Sequence, residues 1–432
     1  MDKQLAVDLV KKLTSYTKHY AVVNISGQSQ GVTRFANSEI SQNVNKSDLQ
    51  ISLTLHDGKK EATSSTNVLD NASLKKLVQD TETMLAVSPA GEFDAAEWNP
   101  PNIKDTENDS TLAEIYNAKG RAEAIKEGVA ALDGLSSAGA LILQKRIAAY
   151  GNSSKPEATL FSEFDNVQFN TVVTHNGADG GGESVSHKAS NLNIPGAFSQ
   201  AKQRALMGAN PITLDGGTYT VVLTPEALGD LMFFLTWSLN AKRIADGASF
   251  YCGLTGTQYF GKNINIYDDV SDARTFPIYF DYEGNKRKSM PLIESGEVKN
   301  ILYCNKTAAK VGVQSSGHAL TNKGMGGYAS NLVMQGGSNS LDEMIKSTER
   351  GLFISEFHYT NFVNPKNALV TGLTRNGTFL IENGKLGKAV NTMRFTQSLL
   401  EAFSKVTHLS KDLSIVGSSV MPSAKIEGFT FP

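Results

Sequence analysis

TYTVVLTPEALGDLMFFLTWSLN (residues 218–240) sets the fold class. TYTVVL (218–223) is β-branched and aromatic, which favours a strand. Thr224 then reads as an N-cap and Pro225 as the first helical residue. The helix that follows carries Ala227, Leu228, Leu231, Met232, Phe233, Phe234, Leu235, Trp237 and Leu239. Apolar residues on almost every side predict a buried helix. Just upstream, Gly208 to Gly217 contains Pro211, Gly216 and Gly217 and makes the best boundary in the chain. The sequence therefore divides into residues 1–210, with mixed sheets and helices, and residues 211–432, a strand-rich, barrel-like domain holding the buried helix.

Working outward, Leu5, Leu9 and Leu13 with Ala6 and Val10 form an N-terminal helical stripe. Residues 20 to 56 read as strands, closed by the turn His56-Asp57-Gly58-Lys59. Asn71 to Ala86 reads as a second helix, and Ser88 to Asp109, with Pro89, Pro100 and Pro101, as a long connector. A long helix is expected from Thr111, with Thr111 and Glu114 as a capping box and Ile115, Ala118, Ala122, Ile125, Val129 and Leu132 facing inward. Beyond the central helix come short candidate strands: KNINIYDD, TFPIYFDYEG, EVKNILYCN, NLVMQGG, GLFISEFHY and TFLIENGKL. Asn376-Gly377 and Asn383-Gly384 read as hairpin turns. A last helix is expected over Thr396 to Val406. Helices and strands mix without regular alternation, so the class is α+β.

The 432 residues carry 41 Lys+Arg against 43 Asp+Glu, a net charge of -2. That balance argues against a duplex nucleic-acid binder, which needs a basic surface to displace counterions. No apolar run reaches the ~18 residues of a membrane span, and charges interrupt MDKQLAVDLVKKL, so a cytoplasmic location is expected. Only Cys252 and Cys304 are present. They read as small buried hydrophobes, and no zinc site can be built on Cys.

Candidate chemistry is sparse. Seven histidines are present, and HExxH, GxSxG and the P-loop pattern are absent. His318, in SSGHAL, reads either as a base or as a turn histidine. His358 alternates with Phe357 and Tyr359 in a strand. NGADGGGE (176–183) and NKGMGGYASN (322–331) read as mobile glycine-rich loops, of a kind suited to contact with an extended peptide backbone. His318, Gly326 and Asn331 are the candidate peptide-contact positions. Lys286-Arg287-Lys288 reads as a solvated hairpin tip. Asp268, Asp269 and Asp272 read as an acidic turn or a hard-cation site.

TRFANSEISQ (33–42), HDGKKEATSSTNVLD (56–70), AYGNS (149–153), VVLTPEALGDLM (221–232), YFDYEGNKRK (279–288), SSGHA (315–319), GLFISEFHYTN (351–361), TGLTRNGTFLIENGKL (371–386) and MPSAKIEGFTF (421–431) occur in an order that resembles the TldD/PmbA family, on its TldE/PmbA side. The resemblance spans nearly the whole chain, and TGLTRNGTFLIENG is its most specific piece. It implies a cytosolic, zinc-dependent proteolytic system that cuts unstructured peptides, with an older label of modulator of DNA gyrase. In that family the TldD subunit holds zinc through HExxxH on a helix and a C-terminal cysteine. Here those positions fall on Phe233, Phe234 and Ser238, and Ser414 to Pro432 contains no cysteine. The resemblance thus implies a subunit with no metal or catalytic residues of its own, zinc belonging only to a TldD-like partner. Its expected associations are a TldD-like subunit or a homodimer, and extended peptides, with no nucleic acid or membrane. The alternatives are a peptidase with a non-standard site around His318 and Glu226, or a stand-alone peptide-binding homodimer.

Overall fold

The computed structural model describes residues 1–91, 98–104, 106, 108–320 and 324–432. Parts of the 88–109 connector, and Asn322 and Lys323 of the second glycine-rich stretch, lie outside the described residues. The N-terminal half contains α1 (Lys3–Ser15), β1 (Tyr20–Ala36), β2 (Glu39–Asp57), β3 (Lys60–Thr66), α2 (Asn71–Val87), α3 (Thr111–Ile115), α4 (Ala118–Ala130), β4 (Ser136–Asn152), β5 (Leu160–His175), β6 (Ala178–Ser186) and α5 (Ile194–Met207). Its strands form one six-stranded sheet, β3-β2-β1-β4-β5-β6, in which every pairing is antiparallel. This corrects the expectation of mixed sheets.

Side chains alternate between the two faces of a strand. Val23, Ile25, Leu53, Leu55 and Ala149 pack under α1 and α2, while Leu141, Val167, Phe169 and Val173 pack under α4 and α5. The opposite face turns Val22, Tyr150 and Leu160 toward Phe280 of the C-terminal half. The expected long helix is two helices. Asn117 accepts from the Lys119 and Gly120 N–H groups and starts α4 afresh, whereas Thr111 is bound by Asp109 and makes no capping box.

Two larger corrections concern glycine. NGADGGGE is no loop: Gly180, Gly181 and Gly182 lie inside edge strand β6. A Cβ on Gly180 would sit 2.2 Å from the Ala201 carbonyl oxygen, and one on Gly182 would sit 2.0 Å from that of Ala197. Glycine is what lets α5 lie directly on the strand. Asn376-Gly377 is not a hairpin turn either. Both residues have positive φ, but they form a bulge within a continuous strand, where the β12–β13 register shifts between Ile354 and Glu356. Asn383-Gly384, by contrast, does turn the chain from β13 to β14.

The C-terminal half contains β7 (Gly217–Leu223), α6 (Pro225–Trp237), α7 (Ala241–Ala245), β8 (Ile266–Asp268), β9 (Met290–Glu294), β10 (Glu297–Val298), α8 (Asn305–Val311), β11 (Leu332–Met334), α9 (Leu341–Lys346), β12 (Arg350–Asn364), β13 (Leu369–Glu382), β14 (Lys385–Ala389), β15 (Arg394–Ser398), α10 (Leu399–Ser404), β16 (Val406–Val416) and β17 (Ser419–Phe431). They build an 11-stranded mixed sheet whose path runs β10-β9-β8-β11-β17-β7-β12-β13-β14, with β15 on β13 and β16 on β17. Among the described residues the sheet does not close, so the barrel-like expectation is corrected to an open sheet. Its parallel pairs are β7 with β12 and β11 with β17.

TFPIYFDYEG contains no strand. Asp281 accepts the N–H groups of Glu283, Asn285 and Ala319, and this tightens the segment into a turn. The last helix begins at Leu399, capped by Ser398, because residues 394–398 pair with β13. Cys304 is buried, but Cys252 is exposed, contrary to expectation. No helix among the described residues is long and apolar enough to cross a membrane.

Candidate functional site

The strand-to-helix corner 217–237 places α6 at the centre of the C-terminal half. Thr224 accepts from the Ala227 N–H and donates to the Ser355 carbonyl at 2.6 Å, which ties the helix start to β12. Ala227, Leu228, Leu231, Met232 and Leu235 are buried in the main core. Glu226, Asp230, Phe233 and Trp237 recur at spacings of four, three and four, and share the other face. The helix is therefore not buried all round: Phe233 is 46% exposed.

That outer face carries an aromatic ledge. The Phe233 and Trp237 rings stack with centroids 6.0 Å apart, and Tyr328 lies 5.6 Å from Trp237. Phe234 packs edge-on against Phe362 at 4.9 Å. Ser238 is fully buried, and its hydroxyl donates to the Phe234 carbonyl at 2.9 Å. Trp237 was expected only as one of the buried residues of the helix, although it stands four residues after Phe233; Tyr328 and Phe362, far off in the chain, have no local spacing that would signal them.

The donor set does not fit zinc. Phe233 and Phe234 offer hydrocarbon where an imidazole and a carboxylate would be needed, and the Ser238 hydroxyl is committed to the helix backbone. Among the described residues no group of three or more His, Cys, Asp or Glu side chains could hold a metal ion.

Next to the ledge, on the same face of α6, a group of carboxylates gathers from three elements. In β6, Gly180 and Gly182 face α5, so Gly181 and Glu183 face the C-terminal half. A Cβ on Gly181 would fall 2.1 Å from Glu356 Oε1. The Asn376 amide of the β13 bulge donates to Glu356 Oε2 at 2.7 Å, and Asp230 Oδ2 accepts the Phe357 N–H at 3.3 Å. Burial, reinforced by the charges of Glu226, Glu356 and Asp230, pushes the Glu183 carboxyl up to about 8 against the pull of Arg204. Burial likewise raises Asp230 to about 7 and lifts Glu356 above its ordinary range. Arg204 is buried on α5 and donates to the Gly181 carbonyl at 2.9 Å, satisfying one acceptor of edge strand β6. The arrangement holds protons on carboxyl groups near neutral pH, which makes Glu183 a hydrogen-bond donor there.

His318, Gly326 and Asn331 belong to a different network, and all three are buried. His318 Nδ1 contacts the Ser316 carbonyl at 2.8 Å, and its Nε2 lies 3.3 Å from Asp268 Oδ1 in an ion-pair contact. Asn331 donates its backbone N–H to Asp268 Oδ2 and its side-chain amide to Thr275 and Phe276. Burial would raise Asp268, but His318, Arg287 and the Asn331 N–H together hold it below the usual carboxylate range. Gly326 has φ +81 and sits against Asn240, whose amide donates to the Met325 and Gly327 carbonyls.

Glu226 and His318 thus lie in separate networks. Asp269 and Asp272 are taken by Ser271, Ser289 and Arg274 rather than gathered with Asp268 around one point. His358 lies against Arg375 and is lowered first by burial and then by that charge. Beside it, Tyr359 is 72% exposed with φ +52. A bulky residue in that region marks a locally strained bulge of β12.

A family profile described as PmbA/TldA metallopeptidase C-terminal domain matches residues 216–432, half of the chain. The chain belongs to the TldD/PmbA family. Among its relatives, an uncharacterized protein of Methanocaldococcus jannaschii is 29% identical over 215 residues, 48% of this chain and 49% of that protein. The chain spans about half the length of the curated relatives it matches first, including a TldD homolog of Buchnera aphidicola. In structure, TldE of Thermococcus kodakarensis superposes with a TM-score of 0.86 at 17% identity, over 98% of this chain and 99% of that one. A Thermotoga maritima protein described as a proposed modulator of a DNA gyrase gives 0.85 at 18% identity, with 98% and 99% coverage. At these identities the likeness establishes the TldD/PmbA fold.

Proposed function

We propose that this chain is a TldE-like subunit of a TldD/TldE-type metallopeptidase system, one that shapes and holds an extended peptide but leaves zinc to a TldD-like partner. The observation that carries this reading is α6. The strand, the N-cap and the buried face of a metallopeptidase helix are all present, while Phe233, Phe234 and Ser238 stand at the positions read as the motif. The ledge of Phe233, Trp237 and Tyr328 offers flat apolar surface to a peptide side chain. The carboxyl groups of Glu183, Asp230 and Glu356 beside it, raised by burial, give the adjoining position polar hydrogen-bonding character rather than a cluster of full negative charges.

The test is co-purification with a TldD-like protein carrying HExxxH, followed by cleavage of an unstructured peptide and metal analysis of each component. A stable complex is expected, with zinc in the partner and altered peptidase activity. Stoichiometric zinc in this chain alone overturns the reading. So does a partner whose activity is the same with and without it. Phe233→Ala/Trp237→Ala is expected to raise KM for the peptide in the complex without lowering the zinc content of the partner.

A further inference from the structure

A second site, independent of the reading above, lies where the two halves meet. A cavity of about 680 Å³ opens between the N-terminal sheet face and the segment 282–288 with α8. That is within the ~300–1,000 Å³ range of small-molecule sites.

Its floor is aromatic. Trp98 and Tyr150 are buried, with ring centroids 5.1 Å apart, and Tyr20 and His56 continue the surface with centroids 5.7 Å apart. The floor is held by a close backbone approach. Trp98 Nε1 donates to the Gly284 carbonyl at 3.1 Å, and a Cβ on Gly284, at φ +73, would fall 2.3 Å from the Tyr150 ring. Glycine at this turn therefore lets the C-terminal half reach the rings and wall the cavity.

The charges around the rim do not cancel. Glu61 is paired with Lys306 across the two halves. Glu283 accepts the Asn305 N–H at 2.6 Å, and burial raises it to about 8, so it is mostly uncharged at neutral pH. His56 is lowered by burial and contributes no charge there. Lys286 and Lys288 remain, exposed at the mouth beside Tyr282. The cationic run at 286–288 is thus more than a solvated tip, because two of its members flank a cavity with an aromatic floor.

We propose that this cavity binds a small planar aromatic molecule bearing an anionic group, with its ring on the Trp98–Tyr150 floor and its anion at Lys286 and Lys288. Flat rings bury well against aromatic faces, and two neighbouring ammonium groups favour a phosphate or carboxylate at the mouth.

The chain has two tryptophans, so Trp237→Phe leaves Trp98 as the sole indole reporter. That variant is titrated with adenosine 5′-monophosphate and with benzoate, and with uncharged adenosine and benzamide for comparison. Calorimetry on the unmodified chain repeats the measurement without any substitution. At least one anion is expected to quench Trp98 saturably and to bind more tightly than its neutral counterpart. Lys286→Ala/Lys288→Ala is expected to weaken that anion by about tenfold and to leave the neutral compound unchanged. Response to the phosphate alone assigns the site to aromatic phosphates, and response to the carboxylate alone assigns it to aryl carboxylates. No saturable binding of either anion overturns the proposal. So does anion binding that is indifferent to both lysines.

Discussion

The chain has two glycine-rich stretches, and they use glycine differently. In NGADGGGE (176–183) the central glycines are extended residues of β6, and what matters is the missing Cβ: α5 rests on one side of the strand and Glu356 on the other. In the second stretch, Gly324 and Gly326 have φ +67 and +81, so a demand of backbone conformation is added to that of space. Each stretch then delivers a polar residue to a buried network, Glu183 to the carboxyl group and Asn331 to Asp268. Glycine content marks both segments, but only the faces it meets separate a strand from a loop.

This contrast breaks first at Gly182. Alanine there sets a Cβ against the Ala197 carbonyl oxygen at 2.0 Å, and a helix backbone cannot move aside as a side chain can. Gly182→Ala is expected to cost on the order of 4 kcal/mol, as overpacking with displacement of an element does. It should be read as a large drop in Tm or loss of soluble protein. A Tm within a degree or two of the parent would mean that α5 does not rest on β6 as described.

The second stretch predicts a smaller loss, of a different kind. Asn331→Ala removes the amide donor from the Phe276 carbonyl and the Thr275 hydroxyl, which keep the Ile278 N–H and the Asp269 and Asp272 carbonyls as partners, at about 1–2 kcal/mol. Gly326→Ala adds positive-φ strain of roughly 1–2 kcal/mol, together with a contact to the buried Asn240 side chain, which can yield only by loosening its hydrogen bonds to Met325, Gly327 and Arg243. Thermal melts of the three variants should place Gly182→Ala lowest. If Gly326→Ala proved the worst, the distinction between space and conformation would fail.

What the sequence made legible was local. Thr224 and Pro225 announced α6, Asp57-Gly58 and Asn383-Gly384 announced turns, and the periodicity of Leu5 to Leu13 announced α1, because each signal sits within a few residues of its effect. What was missed depended on partners distant in the chain. β6 looked like a loop because its glycines make sense only beneath Ala197 and Ala201. Asn376-Gly377 looked like a hairpin because positive φ serves a bulge as well as a turn. The carboxyl group was invisible for the same reason: Glu183, Asp230 and Glu356 come from β6, α6 and β12 and share no motif. Phe233, Phe234 and Ser238 were singled out only through the family resemblance, and the exposure of Phe233 emerged only from the packing of α6.

The smallest change at low pH, and the one that sharpens the comparison most, is Glu183→Gln. Glu183 has an ordinary value near 4.5 and is raised to about 8 in the folded chain. Between those values the folded state keeps a proton that the unfolded state releases. This contribution to stability is therefore full below about pH 4.5, is lost as pH rises toward 8, and is constant above it. One such proton gives a slope of at most about 1.4 kcal/mol per pH unit, and Asp230 and Glu356 add slopes of the same sign. Glutamine resembles the protonated acid and does not titrate. The variant should thus match the parent near pH 5 and exceed it increasingly up to pH 8, with a flatter curve of Tm against pH. Asn331→Ala, in the other network, should shift its curve downward at every pH without flattening it. Parallel curves for Glu183→Gln and the parent would show that Glu183 ionises as an ordinary surface acid, and that the glycines of β6 do not deliver it to a buried site.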